Sequence, residues 1–457
     1  MSRRAATGVA ALAALASTLV AAPRRARALE GWASAHVTTR LVLAPEVELG
    51  DDGNTVRLAA PWVSMLDADA GLPERGLVLR VRGYLLADLA GDPLARAGGA
   101  TGAGGSGSGA ALAVATLDWA PPGTPVAVRA GRQLLALGTG RVERGDGVRL
   151  TVRACKCLTL TVFAGAAAPP AWIGGAPVAL AHARSPGVLV MGRADFRPFP
   201  ALAIGLAASH LAGTGWAPAG NADLDASAAG APAPAAPRSW LSADAALALG
   251  RFGFTADAAV DPSVPAFAAG SVTGTVGVGR WSGSLGARRV RPDLFLPEGS
   301  LLRAFAGPAR DEAWASGLVA LGALRIGADV AAIVYSDGPG LDARLRARIT
   351  LGGRFRPAVD ASAGWLAAPQ GGYAVARVGA RAGGARASVS LEATGYLRDA
   401  APAFGASRFA GAVRAALLWR VARWLRAGAD AGWASTPWLV YGLTAGLTLE
   451  GGVDVVR

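Results

Sequence analysis

From Leu341 to Leu351 the odd positions read Leu, Ala, Leu, Ala, Ile, Leu, while the even positions carry Asp342, Arg344, Arg346, Arg348 and Thr350. A period of two specifies a strand with one apolar face and excludes an amphipathic helix, whose apolar stripe repeats every 3.6 residues. Four further segments alternate in the same way. Phe355, Pro357, Val359, Ala361, Ala363 and Trp365 oppose Arg354, Arg356, Asp360 and Ser362, and Ala387, Val389, Leu391 and Ala393 oppose Arg386, Ser388, Ser390 and Glu392. Phe409 to Val421 sets Val413, Leu417 and Trp419 against Arg408, Arg414 and Arg420, and Leu439, Tyr441, Leu443 and Leu447 oppose Thr444, Thr448 and Glu450. Segments of about ten residues ending in aromatics have the length and pattern of bilayer-crossing strands. Although 52% of the 457 residues are hydrophobic and only 17% charged, no apolar run past residue 30 is long enough to cross as a helix.

A soluble sandwich also alternates, so connection lengths have to separate the two architectures. Short connections fall at 120–124, 155–156, 197–199, 250, 280, 323, 352–353, 383–384 and 422–423; long ones span 89–110, 165–185, 211–238 and 291–312. Tight turns on one side and longer loops on the other are the habit of a closed antiparallel barrel, which leaves no unpaired edge in hydrocarbon. The expected fold is all-β, a transmembrane antiparallel β-barrel of the outer membrane with about 22 strands, within a range of 18–22. Pro61 weakens the second strand, because proline donates nothing to a ladder, and the first strand is poorly patterned.

The amino terminus reads as an export signal. A basic Ser2-Arg3-Arg4, an apolar stretch from Ala5 to Ala22 and the small-residue site Ala26-Arg27-Ala28 place a cleaved signal peptide at 1–28 and a single barrel domain with long extracellular loops at 29–457. No plug segment precedes the first strand in this reading. The expected location is the outer membrane of a Gram-negative bacterium. Lys156 is the one lysine among 45 basic residues, a bias that reflects genome composition and not nucleic-acid binding. It lies between Cys155 and Cys157, read as two residues of a tight turn, since a bridge two residues apart in an extended strand would distort disulfide geometry.

The segment Val126 to Gln133 with Gly131-Arg132-Gln133, then Asp146-Gly147-Val148-Arg149-Leu150-Thr151-Val152-Arg153, a turn, and Leu158 to Gly165 resembles a stretch of porin-like outer-membrane barrels, including the alginate-export and related porins. The resemblance covers about forty residues by motif. It implies passive or facilitated passage of small hydrophilic solutes, without specifying a sugar or uronate polymer.

Alternation assigns one face of the wall independently of that resemblance. The inward positions hold Arg80, Arg82, Arg129, Arg149, Arg153, Arg325, Arg344, Arg346, Arg348, Arg354, Arg356, Arg377, Arg381, Arg386, Arg414 and Arg426. They also hold Asp244, Asp257, Asp329, Asp342, Asp360, Glu392 and Asp430. Arginines on a water-filled wall attract anions, so the expected channel mildly favours anionic solutes. The same arginines are equally expected to pair with carboxylates and hold the wall together. Outward Trp365, Trp419, Trp433 and Tyr441 read as an interface girdle contacting outer-membrane lipids. Loops 89–110 and 211–238 are the candidates for a constriction, and equally for disordered external loops.

Enzyme chemistry is not expected. Gly102 to Gly107 fits a dinucleotide fingerprint but lies in a Gly/Ser-rich loop without a following helix. Ser209 and His210 are adjacent on a strand and so point to opposite faces. His36 and His182 have no legible partner. No metal and no cofactor is expected; a homo-oligomer is compatible with the pattern. The alternatives to a channel are a non-conducting structural or adhesion barrel and an exporter of an acidic polysaccharide.

Overall fold

The computed structural model describes residues 31–50, 53–59, 61–88, 108–136, 138, 143–168, 172–173, 176–177, 187–212, 238–262, 266–291, 309–369, 371–399, 407–436 and 439–456. The proposed signal peptide and most of the constriction candidates 89–110 and 211–238 lie outside them.

Twenty-two strands form one closed sheet. The first is β1 (Trp32–Gly50), and β2 runs in two segments, Gly53–Ala59 and Pro61–Leu72. Then come β3 (Leu77–Asp88), β4 (Ser108–Trp119), β5 (Val126–Leu135), β6 (Glu143–Arg153) and β7 (Leu158–Ala167). The middle of the sheet is β8 (Val188–Phe199), β9 (Leu202–Ala212), β10 (Arg238–Leu249), β11 (Phe252–Asp261), β12 (Ala266–Val278), β13 (Trp281–Val290) and β14 (Arg310–Leu321). The last arc is β15 (Leu324–Tyr335), β16 (Gly338–Thr350), β17 (Ala358–Ala367), β18 (Tyr373–Gly383), β19 (Ala387–Arg398), β20 (Phe409–Arg420), β21 (Leu425–Ser435) and β22 (Leu439–Val456). A separate two-residue ladder pairs Trp172–Ile173 with Ala176–Pro177 between β7 and β8.

Every neighbouring pair is antiparallel, and β1 closes the cylinder on β22, from Trp32 opposite Val456 to Glu48 opposite Leu439. On its other side β1 pairs with both segments of β2, Trp32 opposite Gly71 and Gly50 opposite Gly53. Pro61 therefore does what its missing N–H predicts: it opens the second segment instead of interrupting a ladder. The poorly patterned first strand is 19 residues long and supplies the closure.

Because consecutive strands are all antiparallel neighbours, all connections after even strands fall at one rim and all after odd strands at the other. The former are short, from two residues between β8 and β9 to seven between β16 and β17. The latter include the longest gaps, 89–107, 168–187, 213–237 and 291–309. Turn chemistry explains the short rim: Gly76, Gly250, Gly279 and Gly322 adopt φ near +60°, where a Cβ would be strained.

Three sequence assignments change here. Arg354 and Arg356 belong to the 351–357 turn and not to β17, which starts at Ala358, and Arg386 precedes β19. The 351–357 turn carries the chain's one positive φ outside glycine among the described residues, at Arg356, which alternation alone cannot register. Cys155 and Cys157 are bridged, against expectation. They lie in the turn between β6 and β7, where Cα atoms 5.3 Å apart are within disulfide reach.

Candidate functional site: the two faces of the wall

Residues directly opposite in neighbouring strands share a face, so register traces each face around the cylinder. One face is charged. Asp69 opposes Arg80, Asp118 opposes Arg129, and Arg129 opposes Arg149. Asp244 opposes Asp257, followed in register by Ser271, Arg288 and Glu312. Asp329 opposes Arg344, Arg325 opposes Arg348, Arg348 opposes Asp360, and Glu392 opposes Arg414. Thus Arg129, Arg149, Arg153, Arg325, Arg344, Arg346, Arg348, Arg377, Arg414, Arg426, Asp329, Asp342, Asp360 and Glu392 all occupy strands on this face.

Along β2 to β14 the bases mostly meet acids. Arg129 donates to Asp118, which also lies 3.6 Å from Arg80, and Arg82 bonds Asp67 at 3.1 Å. Arg193 reaches from β8 over β9 to grip Asp244 with two nitrogens at 2.7 and 3.0 Å, and also bonds Asp195 at 2.8 Å. That reach requires Gly205 between them: a Cβ there would lie 2.2 Å from the guanidinium. Glu312 is buried beside Arg288 at 2.5 Å. Asp118, Arg193, Asp195, Arg288 and Glu312 were not in the inward set read from sequence, yet they follow the same alternation as their neighbours.

Near the long-connection rim this face turns apolar. Leu135, Phe163, Ala167, Leu189 and Met191 form a buried cluster with Leu211 packed against it. The Phe163 ring lies over β6, where a Cβ on Gly145 or Gly147 would come within 2.6 or 2.8 Å of it. Here the motif that carried the porin resemblance becomes a local unit. Gly131, Gly147 and Gly165 are aligned across β5, β6 and β7, and Arg132 opposes Asp146 with two bonds of 2.7 and 2.6 Å. Arg132 and Asp146 share the opposite face with Val148, so this ion pair is not part of the charged wall.

From β15 to β22 basic groups exceed their partners. Arg344 bonds Asp342, Arg346 bonds Asp329 at 3.1 Å, and Arg377 bonds Glu392 at 2.9 Å. Asp430 takes Arg40 from β1 and Arg414 from β20, at 3.0 and 3.2 Å, and so ties the closing strand to the end of the sheet. Arg325, Arg348 and Arg381 make no ion pair among the described residues. A hollow of about 340 Å³ lies between β14 and β18, lined by Arg325, Arg346, Arg348 and Arg377 with Asp360 and Ser362.

The other face is apolar and exposed. Val330, Leu345, Val359, Val378, Leu391, Val413, Leu417 and Leu447 each present more than a third of their surface. Trp365, Trp419 and Trp433 lie on it, exposed by 46, 53 and 37%. The side chain of Tyr441 lies outside the described residues. Phe409 and Trp419 mark the two ends of β20 on this face. At ~3.3 Å per residue and a tilt near 40°, their separation projects to about 25 Å, the height of an apolar barrel belt.

Among the described residues, no catalytic arrangement emerges on either face. His210 does not meet Ser209; its Nδ1 lies 2.9 Å from the Ser239 hydroxyl on the neighbouring strand. No cluster of three metal-ligating side chains occurs among the described residues.

No protein-family profile and no curated protein matches the sequence. Solved structures with a similar barrel include the P pilus usher (PapC) translocation pore, 10% identical over 93% of this chain and 100% of that one, with a TM-score of 0.43. A BenF-like porin from Pseudomonas fluorescens Pf-5 is 10% identical over 93% and 99%, with a TM-score of 0.42. OccK3 (OpdO) of Pseudomonas aeruginosa is 12% identical over 93% and 96%, with a TM-score of 0.37.

Proposed function

We propose that the chain is an outer-membrane channel through which small hydrophilic solutes diffuse, with a mild preference for anions. The observation that carries this reading is the division of a closed 22-strand wall into an exposed face that is mostly apolar, broken by the Arg132–Asp146 and Arg289–Asp311 pairs, and a face that carries most of the charge. Hydrocarbon cannot solvate guanidinium and carboxylate groups, so the apolar face meets lipid and the charged face lines the interior. Strands spaced ~4.8 Å apart and tilted near 40° give a circular cylinder about 40 Å across, wider than side chains alone fill.

The anion preference follows from the unpaired Arg325, Arg348 and Arg381 and the hollow beside them, since uncompensated guanidinium groups raise the local anion concentration. Arg129, Arg149, Arg153, Arg344, Arg346, Arg377, Arg414 and Arg426 complete the pore-lining set with Asp329, Asp342, Asp360 and Glu392. Trp365, Trp419 and Trp433 form the lipid-interface girdle. The basic, then apolar, amino terminus supports export through a cleaved signal peptide.

A second reading, a non-conducting barrel, is favoured by the buried apolar cluster around Phe163 on the interior face. Single-channel recording of the refolded chain in a planar bilayer separates the two. Discrete conductance steps with a reversal potential on the anion side support the first reading; a silent bilayer containing a heat-modifiable barrel overturns it.

A further inference from the structure

The two rims of the barrel differ in charge as well as in length. The short connections hold eight basic residues and a single acid, Glu74. In sequence, the connections of the opposite rim hold nine acids and six basic residues. A pattern recurs within the basic rim: Arg251-Phe252, Arg280-Trp281, Arg354-Phe355 and Arg423-Trp424 each put an arginine directly before an aromatic at the turn. All eight side chains are exposed.

Phe252 and Trp281 open β11 and β13 on the apolar face, in line with Phe254 and Leu285. Their rings therefore continue the lipid-facing belt to its edge, where aromatic side chains settle between hydrocarbon and headgroup. The preceding arginine lies one residue beyond that edge, which the membrane-spanning reading sets at the level of lipid phosphate. Arg354 is held there by its neighbour, its guanidinium carbon 5.7 Å from the Phe355 ring centroid. The planar guanidinium pairs two N–H groups with phosphate oxygens, a geometry that lysine lacks.

We propose that the short-connection rim is a collar that binds the phosphates of anionic phospholipids in the leaflet around it. The proposal rests on the membrane-spanning reading but not on conduction, since a sealed barrel would bind the same lipids. Alternation of Phe252 and Trp281 onto the lipid-facing wall favours a lipid occupant over a soluble acidic polymer, which would meet arginines at the mouth without an adjoining apolar belt.

The test uses the refolded chain in phosphatidylcholine vesicles doped with equal amounts of brominated phosphatidylglycerol or brominated phosphatidylcholine, with tryptophan quenching as readout. Brominated phosphatidylglycerol is expected to be preferred by about two- to five-fold, an effect screened by high salt. The preference is expected to vanish when Arg251, Arg280, Arg354 and Arg423 are all changed to Ser, with retained heat-modifiable mobility showing that the barrel still folds. Should that variant not fold, Arg280→Ser and Arg423→Ser alone are each expected to lower the preference. Equal quenching by the two lipids, or a preference that survives the substitutions, overturns the proposal. Sedimentation with peptidoglycan without any lipid preference overturns it in favour of a wall polymer. Failure to insert into pure phosphatidylcholine overturns the membrane-spanning reading itself, a result distinct from loss of lipid preference.

Discussion

The arc from β5 to β9 and the arc from β15 to β18 are built from the same alternating strands but fill their charged faces differently. In the first, Phe163, Leu135, Leu189 and Met191 pack against one another near the long-connection rim, and Arg193 is saturated by Asp195 and Asp244. In the second, Arg325 and Arg348 face each other across the ladder and neither makes an ion pair, although Asp360 opposes Arg348 and lines the hollow beside them. The first arc uses most of these side chains for cohesion, although Arg149 opposes Arg129 there without an ion pair of its own. The second leaves arginines outside any ion pair, a state that hydrophobic packing would not tolerate.

The comparison can be broken by substitution. Phe163→Ala removes the ring covering Gly145 and Gly147 and is expected to cost about 3–5 kcal/mol, read as a lower urea midpoint for loss of the heat-modifiable form. A negligible change would mean that the cluster adds nothing to cohesion. Asp430→Ala leaves Arg40 and Arg414 without their shared acceptor and is expected to cost about 1–3 kcal/mol in the same assay. Its effect sharpens the role of the β1 seam.

Within the second arc, the double change Arg325→Glu and Arg348→Glu is expected to move the reversal potential toward cations with little change in the urea midpoint. Arg193→Glu is expected to do the reverse, destabilising the fold while moving selectivity less. If both variants shift selectivity equally, the division between arcs fails. The smallest effect is expected at the turn: replacing Cys155 and Cys157 with Ser opens a loop of only a few residues, worth no more than about 1.5 kcal/mol by chain entropy, measured as the urea midpoint with and without reductant.

Much of this was legible in the sequence because strand periodicity is local. The alternation of Leu341 to Leu351 placed Asp342, Arg344, Arg346 and Arg348 on one face, and the register of β16 with β15 and β17 keeps them there. Alternation overran at Arg354, Arg356 and Arg386 because a pattern of two continues formally through a turn, whereas the ladder ends where the backbone leaves the sheet. The bridge between Cys155 and Cys157 was illegible for the same reason, since its feasibility depends on a turn and not on residue spacing.

By itself the sequence determined the strand class, the even count near 22, the segregation of long from short connections and the membership of each face, because these follow from side-chain alternation and turn residues. Tertiary structure alone decided which charges are spent. Arg193 and Asp244 are separated by a whole strand, Arg40 and Asp430 by nearly the whole chain, and only closure of the sheet brings them together. Whether an arginine meets a carboxylate or is left without an ion pair depends on distances across strands, which no local pattern encodes.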